Sequence, residues 1–356
     1  MGDKLDFSKD QKLIDRFHKR AGHSPLTIRT YRTVFNIYRK FHKMGLVDLL
    51  DEAICEQEQQ LPINRLSIYD RILSFRDFMV ENYMENTALS AESKIKTFYH
   101  YNRVEVPFIP PLNVRTLKRK DAICFDDLPT KDELRLALEF ADDNLKLWIL
   151  VLLSSGCSRA DAKSMTNRTF FEGTKYYHKK DNFREALEYL SCSDDVVCTC
   201  RLIRQKTNKP YYAFLNPECV QEIARVKLKQ KDFDLDSPIL KYELNHINYK
   251  FKTLNEYLGF GEASGFARLR PHMIRKFHAS YLNQGSLEDD LLNMDDIDSL
   301  HGRGRDKTRQ SYFKVNPEYL KLQYVKVMNN ISLYHKYDYT VDEGKIVIFP
   351  RPLKYF

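Results

Sequence analysis

Between Val106 and Pro129 the chain loses the periodicity that marks the residues on either side, and this break limits the fold more than any other feature. The segment VPFIPPLNVRTLKRKDAICFDDLP holds four prolines together with the cations Arg115, Lys118, Arg119 and Lys120. Proline fixes φ and removes a backbone donor, so helices and central strands stop there and the chain stays extended. With 356 residues, a chain divided at this point has enough length for a hydrophobic core on each side. The expected organisation is a first domain over residues 1–105, a basic linker over 106–128, a second domain over 129–330 and a tail over 331–356.

The first domain reads as a small helical bundle. Ser24 followed by Pro25 is a helix start, a capping hydroxyl before a residue whose φ is already helical. Ile28, Tyr31, Val34, Phe35, Tyr38 and Phe41 then recur at helical spacing, while Arg29, Arg32, Arg39, Lys40 and Lys43 fall off that stripe. One face can therefore pack while Arg29, Arg32, Arg39 and Lys40 meet a polyanion. Further helical patterns run through Ile68, Ile72, Phe75, Phe78 and Met79, and through Ile95, Phe98 and Tyr99 after Ser90.

The second domain opens on Thr130-x-x-Glu133, a capping box ahead of the apolar positions Leu134, Leu136, Ala137, Leu138 and Phe140. Trp148 to Leu153 reads as a buried helix that ends in a small-residue turn bearing Arg159. From Thr169 to Leu215 the pattern is mixed and partly β. Val196 to Ile203, the polar turn QKTNKP and Tyr211 to Leu215 have the rhythm of a hairpin with Lys206 on its tip or just inside it, and Lys209 as a rival for the same role. Helical patterns resume from Val220 and carry His272 and Arg275 three apart, on one helix face. Gly302, Gly304 and Asp306 predict a turn, with Tyr312 on or beside a short helix after it. The fold class expected is mainly α with a small antiparallel β-sheet: a helical domain followed by an α+β domain.

Lys plus Arg at 57 against Asp plus Glu at 49 gives a net charge of +8, which suits a polyanionic partner. Seven cysteines without regular spacing predict reduced thiols. Cys198-x-Cys200 near Cys192 and His178 does not match zinc-ligand spacing and reads as strand cysteines, so no metal site is expected. Met1 to Lys12 is polar and charged, and the longest apolar run, Leu147 to Leu153, is too short to span a bilayer. A cytoplasmic, nucleoid-associated protein with no membrane partner and no cofactor is the expectation.

Arg159, Lys206, His272, Arg275 and Arg303, together with Tyr312, form a set that carries chemistry. A phenolic oxygen displacing a phosphodiester passes through a crowded, doubly negative transition state, which needs several cationic donors around one phosphate. The order and setting of these residues resemble the tyrosine recombinase (integrase) family, in its archaeal or proviral form, from about Ser24 to Tyr319. The matching motifs are VLLSSGCSRADAKSMT for the first arginine, RLIRQKTNKPYYAFL for the hairpin lysine, RPHMIRKFHASYL for H-x-x-R, and LHGRGRDKTRQSY for the tyrosine segment with Thr308. In two places the chain departs from the family. Arg159 stands three residues after Gly156, with Ser158 at the usual arginine position. Arg303 stands where the family has histidine, with His301 a rival for that role.

The resemblance implies a core-binding domain followed by a catalytic domain, and a metal-independent site-specific DNA strand transferase. It would join or excise a viral or mobile element through a 3′-phosphotyrosine, acting as a tetramer on double-stranded attachment sites. Its residue roles are Arg159 and Arg275 on the non-bridging oxygens, His272 and Arg303 assisting, Lys206 as proton donor and Tyr312 as nucleophile. The two departures motivate an alternative, a DNA-binding accessory protein of the same fold without the chemistry. A topoisomerase-like enzyme relaxing one duplex is a third reading.

Overall fold

The computed structural model describes residues 9–112, 122–231, 233–285, 290–303, 315–342 and 344–352. The chain divides into two compact units after Asp121. Tyr312, Thr308 and the linker cations Arg115, Lys118, Arg119 and Lys120 lie outside the described residues.

The N-terminal unit is built from α1 (Asp10–Ala21), α2 (Pro25–His42), α3 (Leu46–Glu58), α4 (Ser67–Asn82) and α5 (Glu85–Tyr101). Ser24 caps α2 by accepting from the Thr27 amide at 3.3 Å, and Pro25 opens the helix. The stripe on α2 buries Tyr31, Val34, Phe35 and Tyr38, which pack with Phe17, Phe75, Phe98 and Tyr99. Tyr38 and Tyr99 satisfy each other's buried hydroxyls at 3.2 Å.

In the C-terminal unit, α6 (Lys131–Phe140) starts at the Thr130–Glu133 capping box, with both reciprocal bonds present at 3.1 and 2.7 Å. Asp142 caps α7 (Asp143–Ser155), whose residues from Leu147 to Ser155 are all buried, so this helix is the centre of the core. Trp148 is fully enclosed, and truncating it to alanine would cost roughly 3–5 kcal/mol. Gly156 at φ +59° ends α7 in the left-handed region and turns the chain into α8 (Arg159–Lys163).

Residues 167–192 differ from expectation. They form two helices, α9 (Asn167–His178) and α10 (Phe183–Cys192), capped by Thr166 and Asn182. The sequence reads as mixed and partly β from Thr169 onward, but Phe170, Thr174 and His178, then Phe183, Leu187 and Leu190, bury at helical spacing. The predicted hairpin follows as β1 (Cys198–Arg204) and β2 (Lys209–Leu215), antiparallel with Cys198 opposite Leu215 and Arg204 opposite Lys209. Cys198, Cys200 and Leu202 point into the core on alternate positions. Beyond it come α11 (Pro217–Leu228), α12 (Leu244–Tyr257), the two-residue strands β3 (Glu262–Ala263) and β4 (Phe266–Ala267), α13 (Pro271–Gln284), α14 (Met294–Leu300) and α15 (Pro317–Val327).

The segment expected as a tail contains a further hairpin, β5 (His335–Asp342) with β6 (Lys345–Pro352). It is anchored because Leu333, Tyr337 and Ile348 join the core, and because Glu218 on α11 accepts from the amides of Leu333, Tyr334 and His335 at 2.7–2.9 Å. Among the described residues no helix is long and apolar enough to cross a membrane.

Candidate active site

Helix α13 presents the central pair. Pro271 opens it, and His272 and Arg275 follow on neighbouring turns. Arg275 is half-buried. Its Nη2 donates to the His301 carbonyl at 3.3 Å, and its Nη1 is buried with no partner among the described residues. Burial, reinforced by the nearby Arg303 and Arg204, pushes its pKa down, although a guanidinium keeps its charge in a protein. Among the described residues no carboxylate pairs with it, so its charge could be met by an anion. His272 is exposed, and its imidazole is held below the ordinary value by the surrounding protein, then by Lys276, Arg270, Arg275 and Arg159.

Behind Arg275 lies a buried histidine pair. His278, one turn further along α13, meets His301 with 3.0 Å between Nδ1 and Nε2. Burial first, then the positive Arg275, pushes His278 down to about 3, and His301 is also held well below its usual range. Both rings are therefore neutral, and one ring N–H donates to the other. The pair fits only because residue 156 is glycine: a Cβ there would come within 2.3 Å of His278 and 2.4 Å of His301. His301 is thus turned into the core, away from the exposed Arg303 and His272.

Arg159 opens α8 and hydrogen-bonds the Asn248 side chain on α12, a neutral partner. Ser158, at the family's arginine position, is used as the helix cap and accepts from the Asp161 amide at 3.2 Å. Asp161 is fully buried. One oxygen accepts from the Gln205 amide at 2.8 Å and the other from the Tyr211 hydroxyl at 3.2 Å, so α8 and the β1–β2 hairpin are fixed together. Lys206 follows Gln205 and is exposed in the turn. Lys209 starts β2 opposite Arg204.

Arg303 lies just beyond α14 and pairs with Asp298 at 3.2 Å. Both are solvent-accessible, so this pair contributes at most about 1 kcal/mol. The mutual influence of these charges links Arg159 to His272, His272 to Arg275, and Arg275 to Arg303 and Arg204. Residues from four scattered segments thereby lie within electrostatic range of one another.

No protein-family model and no curated protein sequence matches the chain. Among solved structures, a XerH site-specific recombinase bound to its difH substrate in a pre-cleavage complex aligns at 11% identity. The match covers 88% of this chain and 83% of that one, at a TM-score of 0.50. The chain has the tyrosine-recombinase fold. A lambda integrase tetramer on a Holliday junction aligns at 12% identity over 88% of each chain with a TM-score of 0.44. The XerA recombinase aligns at 16% identity over 90% of this chain and 98% of that one, with a TM-score of 0.35.

On this recombinase fold the sequence-predicted residues separate by setting. Arg159, His272, Arg275 and Arg303 share one electrostatic neighbourhood, and the hairpin carrying Lys206 is tied to α8. Arg29, Arg32 and Lys40 are exposed on α2. Arg39 belongs elsewhere. Its guanidinium is largely covered and pairs at 2.9 Å with the buried Asp10, which also accepts from the Val47 amide, so this cation holds α1 and α2 together and is withdrawn from a DNA-facing set. The buried charge partner lies 29 residues away, where the helical stripe carries no trace of it. The sequence reading missed Arg204 and the His278–His301 pair for a similar reason, because each acts through a backbone or ring far away in the chain.

Proposed function

We propose that this protein is a site-specific DNA recombinase that cleaves and rejoins duplex DNA through a 3′-phosphotyrosine on Tyr312. The observation that carries the proposal is Arg275: half-buried, ringed by other cations, with a buried Nη1 donor left open and no carboxylate partner among the described residues. A phosphodiester oxygen supplies the missing acceptor. Arg275 and Arg159 would hold the non-bridging oxygens, with His272 and Arg303 adding donors as negative charge builds.

Tyrosine titrates near 10, so its attack at neutral pH depends on those cations. As Tyr312 bonds to phosphorus, the 5′-oxygen leaves and takes a proton from Lys206. The phosphotyrosine keeps the bond energy, and a 5′-hydroxyl from a second duplex reverses the step. Self-association on paired attachment sites, as a tetramer, and a viral or mobile-element target complete the reading. Exposed Arg29, Arg32 and Lys40 on the N-terminal unit, together with the linker cations, would follow the DNA backbone.

A substrate nicked near the cleavage site tests the proposal, because the short 5′-hydroxyl strand diffuses away and protein stays on the 3′ end. Trapping is expected to survive EDTA and to vanish in Tyr312→Phe, which removes only the hydroxyl. An adduct formed by the phenylalanine variant would move the nucleophile to another tyrosine. The second reading, a DNA-binding relative without the chemistry, is favoured by Ser158 serving as a cap and by the Arg303–Asp298 pair. It takes over if wild-type protein binds its site and never forms an adduct, whereas relaxation of plasmid without a paired site would favour the topoisomerase-like reading.

A further inference from the structure

Arg204 is the last residue of β1, half-buried and two positions before Lys206. Its Nη1 donates to the carbonyl of Gly302 at 2.6 Å, while Arg275 Nη2 donates to the carbonyl of His301. Two guanidiniums therefore hold two consecutive carbonyls directly before Arg303. The strand end is the rigid partner, because Arg204 is paired in register with Lys209 and the adjoining turn is bonded to buried Asp161. Gly302 is the compliant one. It sits at φ +61° and lies flat on β2, where a Cβ would come within 2.8 Å of the Tyr211 ring. Arg204 also bears electrostatically on both Arg275 and His301, which places its charge in the same electrostatic neighbourhood although its bond goes to backbone.

Resting on the recombinase reading, we propose that Arg204 is a positioning residue: it clasps the Gly302 carbonyl to the β1–β2 hairpin and so fixes the segment that presents Arg303 and leads to the nucleophile. The clasp works before DNA arrives and requires no contact between Arg204 and phosphate. A misplacement of about 1 Å in a reacting group can lower a rate by about a hundredfold, so one bond of this kind has a measurable effect on cleavage.

Hydrogen exchange in the DNA-free protein is the first arm of the test. Arg204→Ala should speed exchange of the amides around residues 300–303 while leaving the β1–β2 amides protected, and Arg204→Lys, which keeps one donor, should fall between. Unchanged exchange in the alanine variant would overturn the clasp. The second arm is single-turnover cleavage on the nicked substrate, where Arg204→Ala should lose roughly ten- to a hundredfold with DNA affinity little changed. A substrate with sulfur at the 5′-bridging position separates the roles, since a thiolate leaves without a proton. That sulfur should restore Lys206→Ala and leave Arg204→Ala slow. Restoration of both would show that Arg204 serves proton donation and sink the proposal, as would full-rate cleavage in a variant whose exchange has risen. If wild-type protein forms no adduct, the recombinase reading falls separately and exchange alone decides the clasp.

Discussion

Helices α2 and α13 each hold a largely covered arginine, and the two are satisfied in opposite ways. Arg39 on α2 faces a buried carboxylate, Asp10, at 2.9 Å. Arg275 on α13 faces a backbone carbonyl at 3.3 Å and has a second nitrogen without any acceptor among the described residues. Desolvating a charge is costly unless it is paired, so Arg39 contributes to the architecture of its unit. Arg275 has no such partner among the described residues, and under the proposed function an incoming phosphate would offset that cost. Burial alone therefore does not distinguish a structural arginine from a site arginine; the charge of the partner does.

The strongest way to break this comparison is to replace both arginines by methionine, which keeps much of the covered stem. Arg275→Met should lower cleavage by at least about a hundredfold, as removal of a transition-state donor does, while the melting temperature holds or rises. Arg39→Met should do the reverse, leaving Asp10 buried without its cation at about 3–5 kcal/mol of stability while a folded fraction still cleaves. Thermal melting beside single-turnover cleavage separates the two. Parallel losses of stability in both variants would end the distinction.

A smaller effect sharpens the position of Arg159. Its neutral partner Asn248 leaves the guanidinium uncompensated, as with Arg275, so Arg159→Lys should reduce cleavage by roughly tenfold or more with binding nearly intact, because the planar fork is lost. Ser158→Arg restores an arginine at the family's position but removes the cap, at about 1 kcal/mol. Rescue of Arg159→Lys by that second change would place the phosphate-binding position at residue 158.

The histidine pair beneath Arg275 extends the comparison to protons. His278 titrates at about 3 in the folded protein and near 6.5 when unfolded, and His301 is displaced in the same direction. Between those values the unfolded chain binds more protons, so stability is complete above pH 6.5 and drains as the pH falls, by up to about 1.4 kcal/mol per pH unit for each ring. His278→Phe keeps an aromatic ring and removes one of these protons, so its stability should fall less steeply between pH 6.5 and 4. Denaturant unfolding at several pH values measures the slopes. His42, pushed down to about 4 chiefly by burial, gives the N-terminal unit a similar background in both proteins.

What could be read in advance follows from the same physics. The caps at Ser24 and Thr130, the stripe on α2, the buried α7 and the hairpin around Lys206 are local patterns, and the structure contains each of them. His272 and Arg275 were legible because helical spacing alone places them together. Arg39's pairing with Asp10, Arg204's bond to Gly302 and the His278–His301 contact join positions 23 to 98 residues apart, and no local period encodes such distances. Residues 167–192 read only as mixed and partly β, although the caps at Thr166 and Asn182 and apolar residues at helical spacing are present there.

The smallest effect concerns the cations that have no buried partner to hold them. Arg29, Arg32 and Lys40 are exposed on α2, and neutralising a phosphate with each releases condensed counterions. Changing these three to glutamine should weaken duplex binding about equally on all sequences and lower the slope of log affinity against log salt by about 0.9 for each phosphate no longer neutralised. The same change at Arg115, Lys118, Arg119 and Lys120 asks whether the linker joins the interface. Arg39→Gln is the control, because a cation already paired with Asp10 neutralises no phosphate and so displaces none of the counterions condensed on the DNA. Its salt slope should match wild type under conditions where the variant is folded, and a slope reduced as much as in Arg32→Gln would add Arg39 to the proposed DNA contacts.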